Sequence, residues 1–227
     1  MTGSRVRIWA WVGFMAQVVF VLSWLVAPAW QGDRYSVLAH TISDMYAETA
    51  PGGAGLAVLL TLCGLATVLF AVLAVPSAFR PAGRIASVGA VLLALSIYGI
   101  GDLLSPFERE ACRIADPGCT SADQVANTGG TLDSAISTVG ILVFVAAALV
   151  LAAAMKRTPG WQGWVWPARW AGIGIIVLLV LLVVAQNVDL GGLGERVLAA
   201  GGSAAIAVLA LRIARVPAAE PQPATAA

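Results

Sequence analysis

The sequence predicts an all-α fold: a polytopic membrane bundle of six transmembrane helices with both termini cytoplasmic. Three observations predict it. Of the 227 residues 59% are apolar and 11% charged, and the mean hydropathy is +0.89, outside the range of soluble domains. The apolar residues form unbroken runs near the roughly 20 residues a helix needs to cross a hydrocarbon core about 30 Å thick. Basic residues mark alternate ends of those runs, the asymmetry expected of helices threading a bilayer.

The runs are Ile8–Pro28, Ala54–Val75, Ile85–Leu104, Ala135–Met155, Ala168–Ala185 and Val197–Ile213, the last being the shortest. A membrane barrel would instead show short alternating segments. Arg5, Arg7 and Ala27-Pro28-Ala29 superficially match a cleavable signal peptide. The apolar run is longer than a signal core and contains several Trp residues, which favours a retained span. The six-helix domain is expected over residues 1–216, and the Pro/Ala-rich stretch 217–227 is expected to be disordered.

Arg5 and Arg7, Arg80 and Arg84, Lys156, Arg157 and Arg169, and Arg212 and Arg215 lie at one set of span ends. By the positive-inside rule that set is cytoplasmic. The opposite ends hold most of the acids: Asp33, Asp44, Glu48, Glu108, Glu110, Asp116, Asp123, Asp189 and Glu195. Trp161, Trp164, Trp166 and Trp170 read as an interfacial belt at the cytoplasmic start of span five. The preference for arginine over lysine, with abundant Ala and Gly, points to a bacterial genome and so to the bacterial cytoplasmic membrane. The bilayer is the expected partner. A net charge of +1 gives no ground for nucleic acid.

Cys112 and Cys119 fall in the long outer loop Pro106–Thr131. An oxidising compartment permits a disulfide there, and Pro117-Gly118 supplies a turn between them. Metal binding by the pair is the rival, but no second Cys or His pair completes a tetrahedral site. Cys63 lies in span two, where a buried thiol acts as a small apolar residue.

The stretch Tyr35–Gly53 is a polar island between the first two spans, and it contains the only histidine, His40. A helix there would put His40 and Asp44 on one face. Asp102 lies near the outer end of span three, where a carboxylate is costly unless it faces a cavity or partner. Asp133 opens span four, Asn187 and Asp189 close span five, and Glu195-Arg196 open span six. His40, Ser43, Asp44, Asp102, Asp133, Asn187 and Asp189 are therefore the candidates for an outward-facing polar pocket. The competing reading makes Asp133 and Glu195 partners of helix dipoles and Thr41–Asp44 a variant capping box. Zinc would need three or four ligands, mostly carboxylates here, so a metal stays open. No phosphate loop, dinucleotide fingerprint or hydrolase motif is present.

At these residues the chain resembles the DUF998 family of small polytopic membrane proteins. The resemblance is carried by Tyr35…His40-Thr41-Ile42-Ser43-Asp44 with Pro51-Gly52, by Gly101-Asp102…Ser105-Pro106-Phe107, and by the paired loop cysteines. It covers most of the six-span core. Near the start of span four the family usually carries a His, often as His-Asp, where this chain has Leu132-Asp133. The family's function is unknown, so the resemblance implies architecture. Three functions compete: a pocket that binds or transports a small polar molecule or lipid headgroup, an intramembrane metal-dependent lipid hydrolase, and a non-catalytic accessory subunit. The first is the expectation carried forward.

Overall fold

A computed structural model describes residues 3–215; the stretch expected to be disordered lies outside them. Among the described residues the regular structure is entirely helical. The long helices are α1 (Gly3–Val26), α2 (Gly53–Leu73), α3 (Arg84–Ala94), α4 (Thr128–Lys156), α5 (Val165–Gln186) and α6 (Gly191–Arg215). Five of them are long and apolar enough to cross a membrane, and α3 becomes a sixth span when joined to Ile97–Leu104, from which it is bent by 44°.

Each helix packs on its chain neighbours, and α6 packs back on α1, closing a ring. An even number of crossings puts the basic loops at one end and the acidic loops at the other; these are called the basic and acidic ends below. The ring interior holds Phe20, Phe70, Phe144 and Leu93, together with a small polar knot. Gln17 Nε2 donates to Thr67 Oγ1 at 2.8 Å, and Thr67 Oγ1 donates to the Cys63 carbonyl at 2.9 Å. Ser203 Oγ donates to the Gln17 carbonyl at 3.3 Å, so α1, α2 and α6 are tied at membrane depth. In hydrocarbon such groups must be paired inside the protein.

The third span is not continuous, as its apolar run suggests, but broken at Ser96. Ser96 adopts an extended conformation (φ −70°, ψ 172°), its hydroxyl donates to the Leu93 carbonyl at 2.7 Å, and a π-type turn follows over Ile97–Gly101. Two glycines on neighbouring helices let this turn in. A Cβ on Gly64 of α2 would collide with the Leu103 backbone nitrogen and stand 2.7 Å from the Gly99 oxygen; one on Gly140 of α4 would stand 2.8 Å from the Ile97 nitrogen. The hydroxyl of Tyr98 then reaches across the ring to the carbonyl of Ala199 on α6 at 3.1 Å.

At the basic end the Trp cluster divides. Trp166 and Trp170 are each 62% exposed, as interfacial rings should be, but Trp161 is buried against Phe79 with ring centroids 4.6 Å apart. Trp161 is a core residue rather than part of a belt.

Candidate functional site

The acidic end is closed by two loops, Gln31–Gly52 and Ser105–Asn127. The first is a series of turns with one 3₁₀ turn, Ser43–Tyr46, so no helical face joins His40 to Asp44. Its turns are fixed locally. His40 Nδ1 accepts from the Ser36 amide at 2.9 Å, and Thr41 Oγ1 accepts from the Asp44 amide at 3.2 Å. The second loop carries the Cys112–Cys119 disulfide, with Cα atoms 6.2 Å apart, and a capping box from Thr120 to Asp123. Asn127 caps α4 by accepting from the Gly130 amide at 2.7 Å.

The loops meet over buried carboxyl groups. Asp44 is completely buried; its Oδ1 accepts from the Ile114 amide at 2.7 Å and from Gln124 Nε2 at 3.2 Å. Gln124 Nε2 also donates to Glu110 Oε2 at 2.8 Å, and Ser43 Oγ donates to Glu110 Oε1 at 3.3 Å. Tyr46 donates to Asp133 Oδ1 at 2.8 Å, and Glu195 Oε2 accepts from the Ile42 amide at 2.8 Å. Two oxygens are left over: Asp44 Oδ2 and Glu108 Oε1 are buried and meet no hydrogen-bond partner.

The nearby arginines do not neutralise these acids. Arg109 donates to the carbonyls of Tyr46 and Ala47, both at 2.8 Å. Arg196 donates to the carbonyls of Val37, His40 and Gly192 and to the Tyr35 hydroxyl. Arg113 donates to Gln31 and makes the one ion pair among the described residues, with Asp116. The cations therefore hold the loop backbone in shape while the carboxyl groups remain crowded.

Crowding and burial show in the titration of the loop acids. Burial, reinforced by the charge of Asp133, pushes Glu108 up to about 8. Burial also pushes Glu110 up to about 8, with Asp133, Asp44 and Glu195 adding to it. Asp44 is raised by burial despite its bond from Ile114. Tyr46 is raised by burial and by Asp133. Asp116 moves the other way, lowered by its hydrogen bond from Arg113. Buried carboxyls close to one another favour the protonated form.

Of the residues singled out in the sequence, Ser43, Asp44 and Asp133 lie in this buried layer. His40 is half-buried at its edge. Asp102 is partly buried, within electrostatic reach of Glu108. The break in the third span makes Asp102 the first residue of a new helical turn, Asp102–Leu104, so a helix start does lie beside it. Asn187 and Asp189 are exposed and apart: Asn187 Nδ2 donates to the Val183 carbonyl at 2.7 Å, and Asp189 sits at φ 56°. Asp133 and Glu195 fall beyond the first turns of α4 and α6, which contain no acids, so neither caps its helix. Nor is Thr41–Asp44 a capping box, because the Asp44 side chain is spent on the second loop.

Tyr46, Glu108, Glu110 and Gln124 were not singled out. Glu108 and Glu110 sit in the charged run Phe107-Glu108-Arg109-Glu110, which reads as a solvated loop. The alternation of acid and arginine in that run was the available signal. Among the described residues no group of three or more His, Cys, Asp and Glu is arranged to hold a metal ion.

Six apolar crossings with polar loops folded over one end define a polytopic helical membrane protein. Residues 14–212 match the family described as "Protein of unknown function (DUF998)", and the chain belongs to that family. No curated protein matches the chain. No solved structure matches it.

Proposed function

We propose that the acidic end binds a small cationic group, such as a free amine or an amine-bearing lipid headgroup, and releases a proton as it does so. The observation that carries this reading is the pair of buried, unpartnered oxygens on Asp44 and Glu108, in a layer where Arg109 and the Arg196 Nη1 donate to backbone carbonyls and not to these acids. A buried carboxylate needs a donor or a cation. At neutral pH protons held by Glu108 and Glu110 meet that need. A bound ammonium would replace one of them, donating hydrogen bonds to Asp44 Oδ2 and Glu108 while that proton leaves. The charge asymmetry of the loops supports placing this end outside a bacterial cytoplasmic membrane.

Calorimetric titration of the purified chain with ethanolamine and with putrescine, at pH 8.5 and pH 6, tests the proposal. Binding is expected to be tighter at pH 8.5, where the carboxyls ionise without help. Asp44→Asn or Glu108→Gln should weaken it by about tenfold or more, the worth of a hydrogen bond to a charged group, and Asp116→Asn should leave it unchanged. No heat from either amine at pH 8.5 would sink the reading.

One observation favours a second reading, an accessory protein whose polar layer only shapes its loops: Asp44 Oδ1 already ties the first loop to Ile114 and Gln124 of the second.

A further inference from the structure

Of the long spans, α5 is the least enclosed. Only 17% of its central window is buried, against 33–44% for the other long spans. The gap between α4, α5 and α6 is a cavity of about 260 Å³. Its walls are apolar throughout. Alanines such as Ala148, Ala171 and Ala205 are too short to fill it, and Phe144, Met155 and Trp164 bound its length. Bilayer hydrocarbon satisfies such walls, so the cavity alone selects nothing.

Selection comes from its mouth. Arg212 lies one helical turn beyond Leu209, which lines the cavity. Its guanidinium stacks over Trp161 at 5.6 Å and over Trp164, a cavity wall, at 5.9 Å. The Arg212 Nε is buried and has no hydrogen-bond partner. Rings satisfy the face of a guanidinium but offer its N–H edge no acceptor, and that edge suits a phosphate. Around it the basic end carries Arg80, Arg84, Lys156, Arg157, Arg169 and Arg215 and no acid among the described residues.

We propose that this is a binding site for an anionic phospholipid, with one acyl chain lying in the cavity between α4, α5 and α6 and the phosphate held by Arg212. It is separate from the acidic layer and does not depend on the function proposed for it. Basic pockets between transmembrane helices bind anionic headgroups; here the apolar slot below the cation adds a requirement for a chain, which free phosphate cannot meet.

The test is native mass spectrometry of the full chain in detergent, titrated with dioleoylphosphatidylglycerol or dioleoylphosphatidylcholine. Phosphatidylglycerol should be retained about fivefold more strongly, the worth of one basic contact at a membrane surface. Arg212→Gln should bring that ratio close to one, whereas Arg215→Gln, at an exposed arginine, should leave it unchanged. Ala205→Phe fills the cavity without touching the arginine and should reduce retention of both lipids; it keeps the test decisive if Arg212→Gln does not fold. Equal retention of the two lipids by the unaltered chain overturns the proposal. So does equal loss of preference in the two arginine variants, which would mean diffuse surface charge. A lipid-free dimer that Ala205→Phe converts to monomer overturns it too, making a second copy the occupant.

Discussion

The Tyr46 hydroxyl donates to Oδ1 of Asp133 across 2.8 Å, joining the first loop to α4 where both side chains are buried. No other side-chain hydrogen bond reaches Asp133 among the described residues. Tyr46→Phe removes the donor and leaves a buried carboxyl unpaired. Thermal unfolding in detergent should show a loss of about 1–3 kcal/mol, the usual penalty for orphaning a buried polar group. Tyr46→Phe combined with Asp133→Leu should cost less than the sum of the two single changes. Strict additivity would show that the pair does not interact.

The buried glutamates set the sign of the pH dependence. Glu108 and Glu110 rise from the ordinary value of 4.5 to about 8 in the folded protein. Between those values the folded state binds more protons than the unfolded one, so stability falls as pH rises. Their contribution is full below about 4.5 and is lost as pH passes through about 8. The unfolding midpoint should therefore drop between pH 5 and pH 8.5. Glu108→Gln with Glu110→Gln should flatten that slope. The depressed Asp116 works in the opposite sense, its contribution being lost only as pH falls below the usual aspartate range, outside this window. A midpoint that climbs from pH 5 to 8.5 would contradict the assignment.

The Cys112–Cys119 link closes a short loop, with a sequence separation of 7. Chain-entropy bookkeeping for a loop of this size gives about 2–3 kcal/mol. Arg113, inside the loop, holds Gln31 and Asp116, while Ile114 ties to Asp44. Reduction should therefore speed hydrogen exchange at 105–127 and at 43–46 together, and leave exchange in α2 and α4 unchanged. Faster exchange confined to 112–119 would mean that the link does not brace the first loop.

Orientation is open to direct labelling. A cysteine placed at Pro81, which is exposed between Arg80 and Arg84, should react with a membrane-impermeant maleimide only after the membrane is opened. One placed at Glu48, which is exposed, should react in intact cells. The reverse pattern would invert the bundle and place the acidic layer inside.

The architecture was legible because the bilayer imposes one rule on every span, and twenty apolar residues in a row satisfy it in only one way. The break at Ser96 was not, because it depends on Gly64 and Gly140 of other helices making room for an irregular turn. Spacing in one segment carries no trace of that. The site was half legible for the same reason. Asp44 and Asp133 border apolar spans and so draw notice, but Glu108 and Glu110 are buried only because the second loop folds back over the first. Asn187 and Asp189 show the converse: a position at a span end brings a polar residue near the acidic end without turning it inward.

The closed ring also constrains assembly order. Five of its six helix interfaces join consecutive helices and form as the chain emerges, but the seam between α1 and α6 waits for the last helix. Until then the α1 face that receives Ser203 stays unsealed, and the Tyr98 hydroxyl lacks its acceptors on α6. A chain stalled before Gly191 thus presents polar groups to lipid that the finished protein hides. That gives membrane quality control a chemical mark separating incomplete molecules from complete ones.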